Sequence, residues 1–194
     1  MKSVLLLGSI LLLSACGSMQ SQVVKKNVAF DPDSQAQIRS YGSYGSDLIR
    51  IYPETDCAKW EGTKRNTVNR RFVNGLPRKV RNISIGIPPT ELSRKTEKDT
   101  GFVFRDSYRE MVVSANQPVV LDGAFSSQTR NQHYSCRVAA SFTPKAGEAY
   151  EVRYLSEEEG CDIEVYHIGH EEKDGVRPTK KLTANYCAKP GTSF

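Results

Sequence analysis

The sequence predicts a mainly β fold, a single antiparallel β-sandwich stapled by two disulfides. Short apolar or β-branched runs of period two recur along the chain, with Gly, Pro and Asn turn signals about every ten residues. No amphipathic helix of any length is visible, and no internal repeat stands out at a solenoid period. Beyond residue 50 there are four cysteines, an even number.

The elements follow in order. AQIRSYGSYG (36–45) and DLIRIYPE (47–54) are read as two strands around a Gly turn. Ile38, Leu48 and either Ile49 or Ile51 face inward; Ile38, Ser40 and Gly42 share one side, Arg39 and Tyr41 the other. Pro53 ends the second strand, because it has no N–H for the ladder. From Cys57 to Lys79 the pattern breaks into a polar, basic excursion. KVRNISIGIPPT (79–90) places Val80, Ile83, Ile85 and Ile87 among polar or small residues until Pro88-Pro89 stops it. ELSRKTEKDTG (91–101) is a charged loop or one surface turn of helix.

Residues 102–127 hold two strands, Tyr108 to Val113 and Val119 to Phe125, around Asn116-Gln117-Pro118. The most regular stretch, 134–168, reads strand, turn, strand, turn, strand, with TPKAGE and SEEEG as the turns. Tyr150, Val152 and Tyr154 share one face of its middle strand; Ile163, Val165 and His167 share one face of the third. TKKLTANYC (179–187) is a further strand.

The amino-terminal end bears on location. Met1-Lys2 is a short positive start and Val4 to Leu13 an apolar run, too short for the roughly 20 residues a bilayer-spanning helix needs. Leu13-Ser14-Ala15-Cys16 resembles the lipobox of bacterial lipoproteins. That resemblance implies a signal peptide over 1–15, a diacylglycerol thioether on Cys16, cleavage before it, and acylation (palmitate included) of the new amino terminus. The residue after Cys16 is Gly17, not Asp, which by the sorting rule of that class implies the outer membrane, on its periplasmic or cell-surface face. Several acyl chains on one residue hold firmly where one chain holds reversibly. Residues 16–28 then form a lipidated tether and 29–194 a single β-sandwich domain.

Setting Cys16 aside leaves Cys57, Cys136, Cys161 and Cys187. In an oxidising compartment these are read as two disulfides, and three pairings exist on paper. Cys161 opens one strand and Cys187 closes another, which favours Cys161–Cys187 and leaves Cys57–Cys136. No pair has the C-x₂-C spacing of a thiolate zinc site.

Together with Cys16, the segments AQIRSYGSYG, NISIGIPPT, FTPKAGEAYEVRY and GCDIEVYHI resemble a group of small uncharacterised lipoproteins of Gram-negative bacteria. FTPKAGEAY is also similar to a phrase of exported β-sandwich domains of the immunoglobulin-like or transthyretin-like kind. The resemblance implies an exported, lipid-anchored β domain and carries over no catalytic residues.

The chain carries a formal net charge of +5, unevenly spread. Lys59, Lys64, Arg65, Arg70, Arg71, Arg78, Lys79 and Arg81 lie in one stretch whose one acid is Glu61. Such a field suits an acidic envelope partner: a protein, lipopolysaccharide or the carboxylates of peptidoglycan. The bland reading is a solvated face. Trp60, the single tryptophan, sits inside it as a candidate anchor for a partner or sugar, against the alternative of a core plug near Cys57.

Catalytic signals are weak. There is no G-x-S-x-G, and Glu157-Glu158-Glu159 falls in a predicted turn. His167, His170 and Glu171 have metal-binding side chains, but two histidines three apart on a strand exit converge only if the chain turns at Gly169, and a further ligand is needed. The sequence therefore assigns no metal and no cofactor. An outer-membrane address leaves no role for nucleic acid. The chain is read as a binding protein of the envelope rather than an enzyme, anchored to the membrane through Cys16. The other reading is an inhibitor or immunity lipoprotein that blocks an envelope-attacking hydrolase.

Overall fold

The structure, a computed structural model, describes residues 23–42, 48–67, 72–73, 76–77, 81–99, 106–128, 133–157 and 160–189. In chain order the elements are β1 (Val23–Lys25), β2 (Gln35–Gly42), β3 (Leu48–Tyr52), β4 (Asn66–Thr67), β5 (Phe72–Val73), β6 (Leu76–Pro77), β7 (Asn82–Ser84), α1 (Glu91–Lys98), β8 (Ser107–Ser114), β9 (Val119–Gln128), β10 (His133–Phe142), β11 (Ala149–Glu157), β12 (Gly160–Ile168), β13 (Thr179–Leu182) and β14 (Asn185–Ala188). Two sheets pack together as a sandwich. One is seven-stranded in the order β1-β7-β8-β2-β11-β12-β13; the other is five-stranded, β14-β10-β9-β3-β4; β5 and β6 pair separately.

The predicted sandwich is therefore present, and the alternation of 149–168 is read correctly. Tyr150, Val152, Tyr154, Ile163 and Val165 all point into the core, where they meet Ile49, Ile51, Leu121, Val138 and Phe142 of the other sheet. Burying a side chain of this size typically stabilises by about 1.5–3 kcal/mol, so these inner faces dominate the stability. The side chain of Leu48, and Val80, lie outside the described residues.

Pairing departs from the expected pattern in three ways. First, adjacent strands in sequence often sit in different sheets. β2 and β3 are not a hairpin, and β8 and β9 diverge at a turn where Asn116 takes φ +59° and donates its N–H to Pro144 O at 2.8 Å. TKKLTANYC is two strands rather than one, with β13 in the larger sheet and β14 in the smaller. Second, the sheets are not wholly antiparallel, since β2 runs parallel to β11, and β7 parallel to both β1 and β8. Such pairs arise because the chain crosses between layers before returning. Third, the disulfides are Cys57–Cys187 and Cys136–Cys161, not the predicted pairing. Cys136 on β10 and Cys161 on β12 face each other across the two layers, so that bridge staples sheet to sheet. Cys187 on edge strand β14 lies beside the excursion that follows β3, and Cys57 reaches it there.

α1 is two turns rather than one. Thr90 is its N-cap: Thr90 Oγ1 accepts from Ser93 N at 3.2 Å and Ser93 Oγ accepts from Thr90 N at 2.9 Å, a reciprocal capping box. Glu91 in the first turn and Lys95 and Lys98 in the last agree with the helix dipole. The helix and the segment before it cover the outer face of the seven-stranded sheet. Arg39 and Tyr41 are consequently as buried as Ile38, although they point the opposite way.

Candidate functional site

Three groups of polar side chains stand out, one beneath the 84–98 segment, one beneath the 53–63 excursion and one at the rim of the sandwich.

Beneath 84–98, Arg39 spans two carboxylates on neighbouring strands. Its Nε and Nη2 donate to Glu110 Oε1 at 2.9 and 2.7 Å, and its Nη1 donates to Glu151 Oε1 at 3.2 Å. Nη2 also donates to the carbonyls of Ile87 and Pro88 at 2.8 and 3.1 Å. The strand pairing creates this contact, because register sets Arg39 opposite both Glu110 and Glu151. The other oxygen of Glu110 accepts from the consecutive N–H groups of Ile85, Gly86 and Ile87, at 2.7, 3.1 and 3.2 Å, and from Ser84 Oγ. This is an anion nest filled from within the chain. Tyr41 and Thr90 donate their hydroxyls to Glu151 Oε1, while Arg153 Nη2 reaches its Oε2 at 3.1 Å. Burial opposes the charge of Arg39, yet Tyr41, Glu110 and Glu151 outweigh it and hold the guanidinium above its ordinary pKa. Burial pushes the Tyr41 phenol up, reinforced by the Glu151 charge. Every carboxylate here is closed over, so the group is structural.

Beneath the excursion, Trp60 is only 5% exposed. It packs edge-on against Tyr52 with ring centres 5.2 Å apart, in a small cluster with Val120 and Ala139. The Arg137 guanidinium lies 4.8 Å from the Trp60 ring centre and pairs with buried Asp122 through Nε at 2.8 Å. Trp60 is therefore the plug of the outer face of the five-stranded sheet, and its reading as a partner anchor is corrected: a ring already seated on protein has no face left for a sugar. Lys59, Lys64, Arg65 and Arg81 are exposed. Arg70, Arg71, Arg78 and Lys79 lie outside the described residues, as does Cys16.

At the rim, Glu148, His167 and His170 converge. Glu148 closes the corner between β10 and β11, His167 is next to last in β12, and His170 follows the turn at Gly169. His167 Nε2 lies 2.6 Å and His170 Nε2 3.1 Å from Glu148 Oε2. The hydrogen bond from His167 holds the Glu148 carboxyl below its ordinary pKa, helped by His170 and opposed by burial. Glu171, the third residue weighed from sequence, is exposed and is not part of the group. Glu148 was missed because it is 19 positions from His167. Its signal lay in the register: counting outward from the SEEEG turn pairs Ala149 with Ile168 and so sets Glu148 beside Gly169.

Compared with known protein families, curated proteins and solved structures, the chain matches none.

Proposed function

We propose that this chain is an outer-membrane lipoprotein, anchored through acylated Cys16, that acts by binding an acidic partner in the cell envelope. The observation that carries the reading is Leu13-Ser14-Ala15-Cys16 in its apolar, basic-started context. The pairing of the other four cysteines supports it. Cys57, Cys136, Cys161 and Cys187 form two disulfides, bonds that persist in oxidising compartments.

The binding surface proposed is the basic stretch without its tryptophan. Lys59, Lys64, Arg65 and Arg81 expose their charges, while Trp60 serves the fold. Contacts of this kind are electrostatic and screened by salt. The experiment has two readouts on the protein isolated from its membrane. Mass spectrometry of the mature amino terminus is expected to find a lipid-modified Cys16. Sedimentation with peptidoglycan or lipopolysaccharide is expected to fall with rising salt, and to be lost when Lys64, Arg65, Arg70, Arg71, Arg78 and Lys79 are neutralised. A free Cys16 on an uncleaved chain overturns the location. Binding indifferent to both salt and neutralisation overturns the surface.

A further inference from the structure

We propose that Glu148, His167 and His170 form a binding site for a divalent transition-metal ion of the zinc class at the rim of the sandwich. The proposal is independent of the membrane-anchor reading, since it rests on the geometry of residues 145–180.

Two imidazoles and one carboxylate are a recurrent ligand set for zinc, and nitrogen donors select such borderline ions over calcium or magnesium. An ion about 2.0–2.1 Å from each donor in tetrahedral geometry sets the donors about 3.3 Å apart. Here both histidine Nε2 atoms lie near a single oxygen, Glu148 Oε2, at 2.6 and 3.1 Å, and all three donor atoms lie within 4.8 Å of one another. The ion is admitted when the two histidine–carboxylate distances open by about 0.7 and 0.2 Å and the two nitrogens, within 4.8 Å of each other, settle near the same spacing. The side chains have room for that, with His167 29%, Glu148 25% and His170 67% exposed.

The backbone that presents them is held. Gly169 donates its N–H to Pro178 O at 2.8 Å, and a Cβ at Gly169 would lie 3.1 Å from Pro178 Cγ. The turn that swings His170 back over His167 therefore depends on close packing against the chain leading into β13. On the other side, Tyr150 Oη accepts from Lys145 N at 2.9 Å, which ties the corner bearing Glu148 to β11. The Tyr150 ring meets His167 edge-on with centres 5.7 Å apart, limiting how that imidazole can turn. Lys180 lies opposite His167 on β13, but it is exposed, so its charge is screened by solvent. Three protein ligands leave at least one coordination position for water or for a donor from a partner.

The test uses the mature chain without a polyhistidine tag, freed of metal with a chelator and titrated calorimetrically with zinc chloride. One ion per chain is expected, with a dissociation constant in the micromolar range or tighter. His167→Gln, His170→Gln and Glu148→Gln are each expected to weaken binding by at least about tenfold. His133→Gln, on the third histidine of the chain and outside the cluster, leaves it unchanged. Circular dichroism checks that each variant folds, and exposed His170 keeps the test decisive if the Glu148 variant does not. Cobalt(II) substitution adds a visible absorption band that the His167→Gln/His170→Gln double variant loses. No saturable zinc binding, or binding the double variant retains, overturns the proposal and leaves the cluster a rim ion pair.

Discussion

Replacing Arg39 with methionine tests whether the closed polar group holds the 84–98 segment onto the sheet. The guanidinium donates five hydrogen bonds, three to carboxylates and two to carbonyls. Methionine fills much of the volume and donates none. Removing one partner of a buried ion pair costs about 3–5 kcal/mol, because the opposite charge stays buried without its counter-ion. Two carboxylates are stranded here, but neither is bare. Glu110 keeps Ser84 and its three backbone donors, and Glu151 keeps Tyr41, Thr90 and Arg153. The middle of the range is therefore expected, about 4 kcal/mol. For a domain of this size that lowers Tm by about 8–16 °C. Guanidinium unfolding with both disulfides intact, followed by the fluorescence of the single tryptophan and by circular dichroism, measures it. Arg39→Lys keeps a charge without the planar fork and should fall between. A loss below about 1 kcal/mol for Arg39→Met would mean that the group is solvated and the segment held by other contacts.

The two bridges should differ in weight. By loop-closure entropy, Cys57–Cys187, with a sequence separation of 130, is worth about 5 kcal/mol, and Cys136–Cys161, with a separation of 25, about 3.5 kcal/mol. Paired Cys→Ala variants compared by denaturant unfolding check this, and the reverse order would refute it; peptide mapping without reduction should find Cys57 joined to Cys187. At Gly123 an added Cβ would sit 2.2 Å from Tyr154 Cδ2, inside the core, so Gly123→Ala should cost about 3 kcal/mol, and a neutral result would show that Tyr154 can turn aside. Glu148 titrates below its ordinary value of about 4.3 because His167 donates to it. Its contribution to stability is therefore complete above that value and is lost as pH falls through the folded pKa. Carboxyl NMR titration should show the Glu148 value rising in His167→Gln; an unchanged value would remove the hydrogen bond from the account.

What was legible in the sequence is the set of strands that bury one face. Tyr150, Val152 and Tyr154 alternate with Glu151 and Arg153, and period two gives their direction without further information. Period two gives the two sides of β2 as well but not their burial, because Arg39 and Tyr41 are covered from outside by the helix and the segment before it. A buried arginine cannot be told from an exposed one until its two carboxylates are known to be neighbours in space. The disulfide pairing failed for a related reason. Strand position suggested Cys161 with Cys187, yet the chain changes sheet between β13 and β14, which takes Cys187 away from Cys161. The candidate site was half visible: the two histidines were read, while their third partner required the hairpin register that seats Glu148 next to Gly169.

Each sheet hides a charged group on its outer face, and the two are built alike. On the larger sheet Arg39 sits between Glu110 and Glu151 under the 84–98 segment; on the smaller, Asp122 sits between Arg50 and Arg137 under Trp60. In both places a strand charge is closed over by an excursion that adds one large buried apolar side chain, Ile87 in one and Trp60 in the other. A hydrophobic patch tolerates sliding, whereas a carboxylate that must meet three consecutive N–H groups, or an arginine that must reach both a carboxylate and an indole ring, is satisfied in one position. The buried charges are thus better understood as fixing where the excursions lie than as raising net stability, which paired buried ions seldom do against apolar replacements. The Trp60–Arg137–Asp122 contact, with the Cys57–Cys187 bridge at its edge, gives the basic excursion a set position on the sheet, so Lys59, Lys64 and Arg65 are presented on a held framework rather than on a free loop.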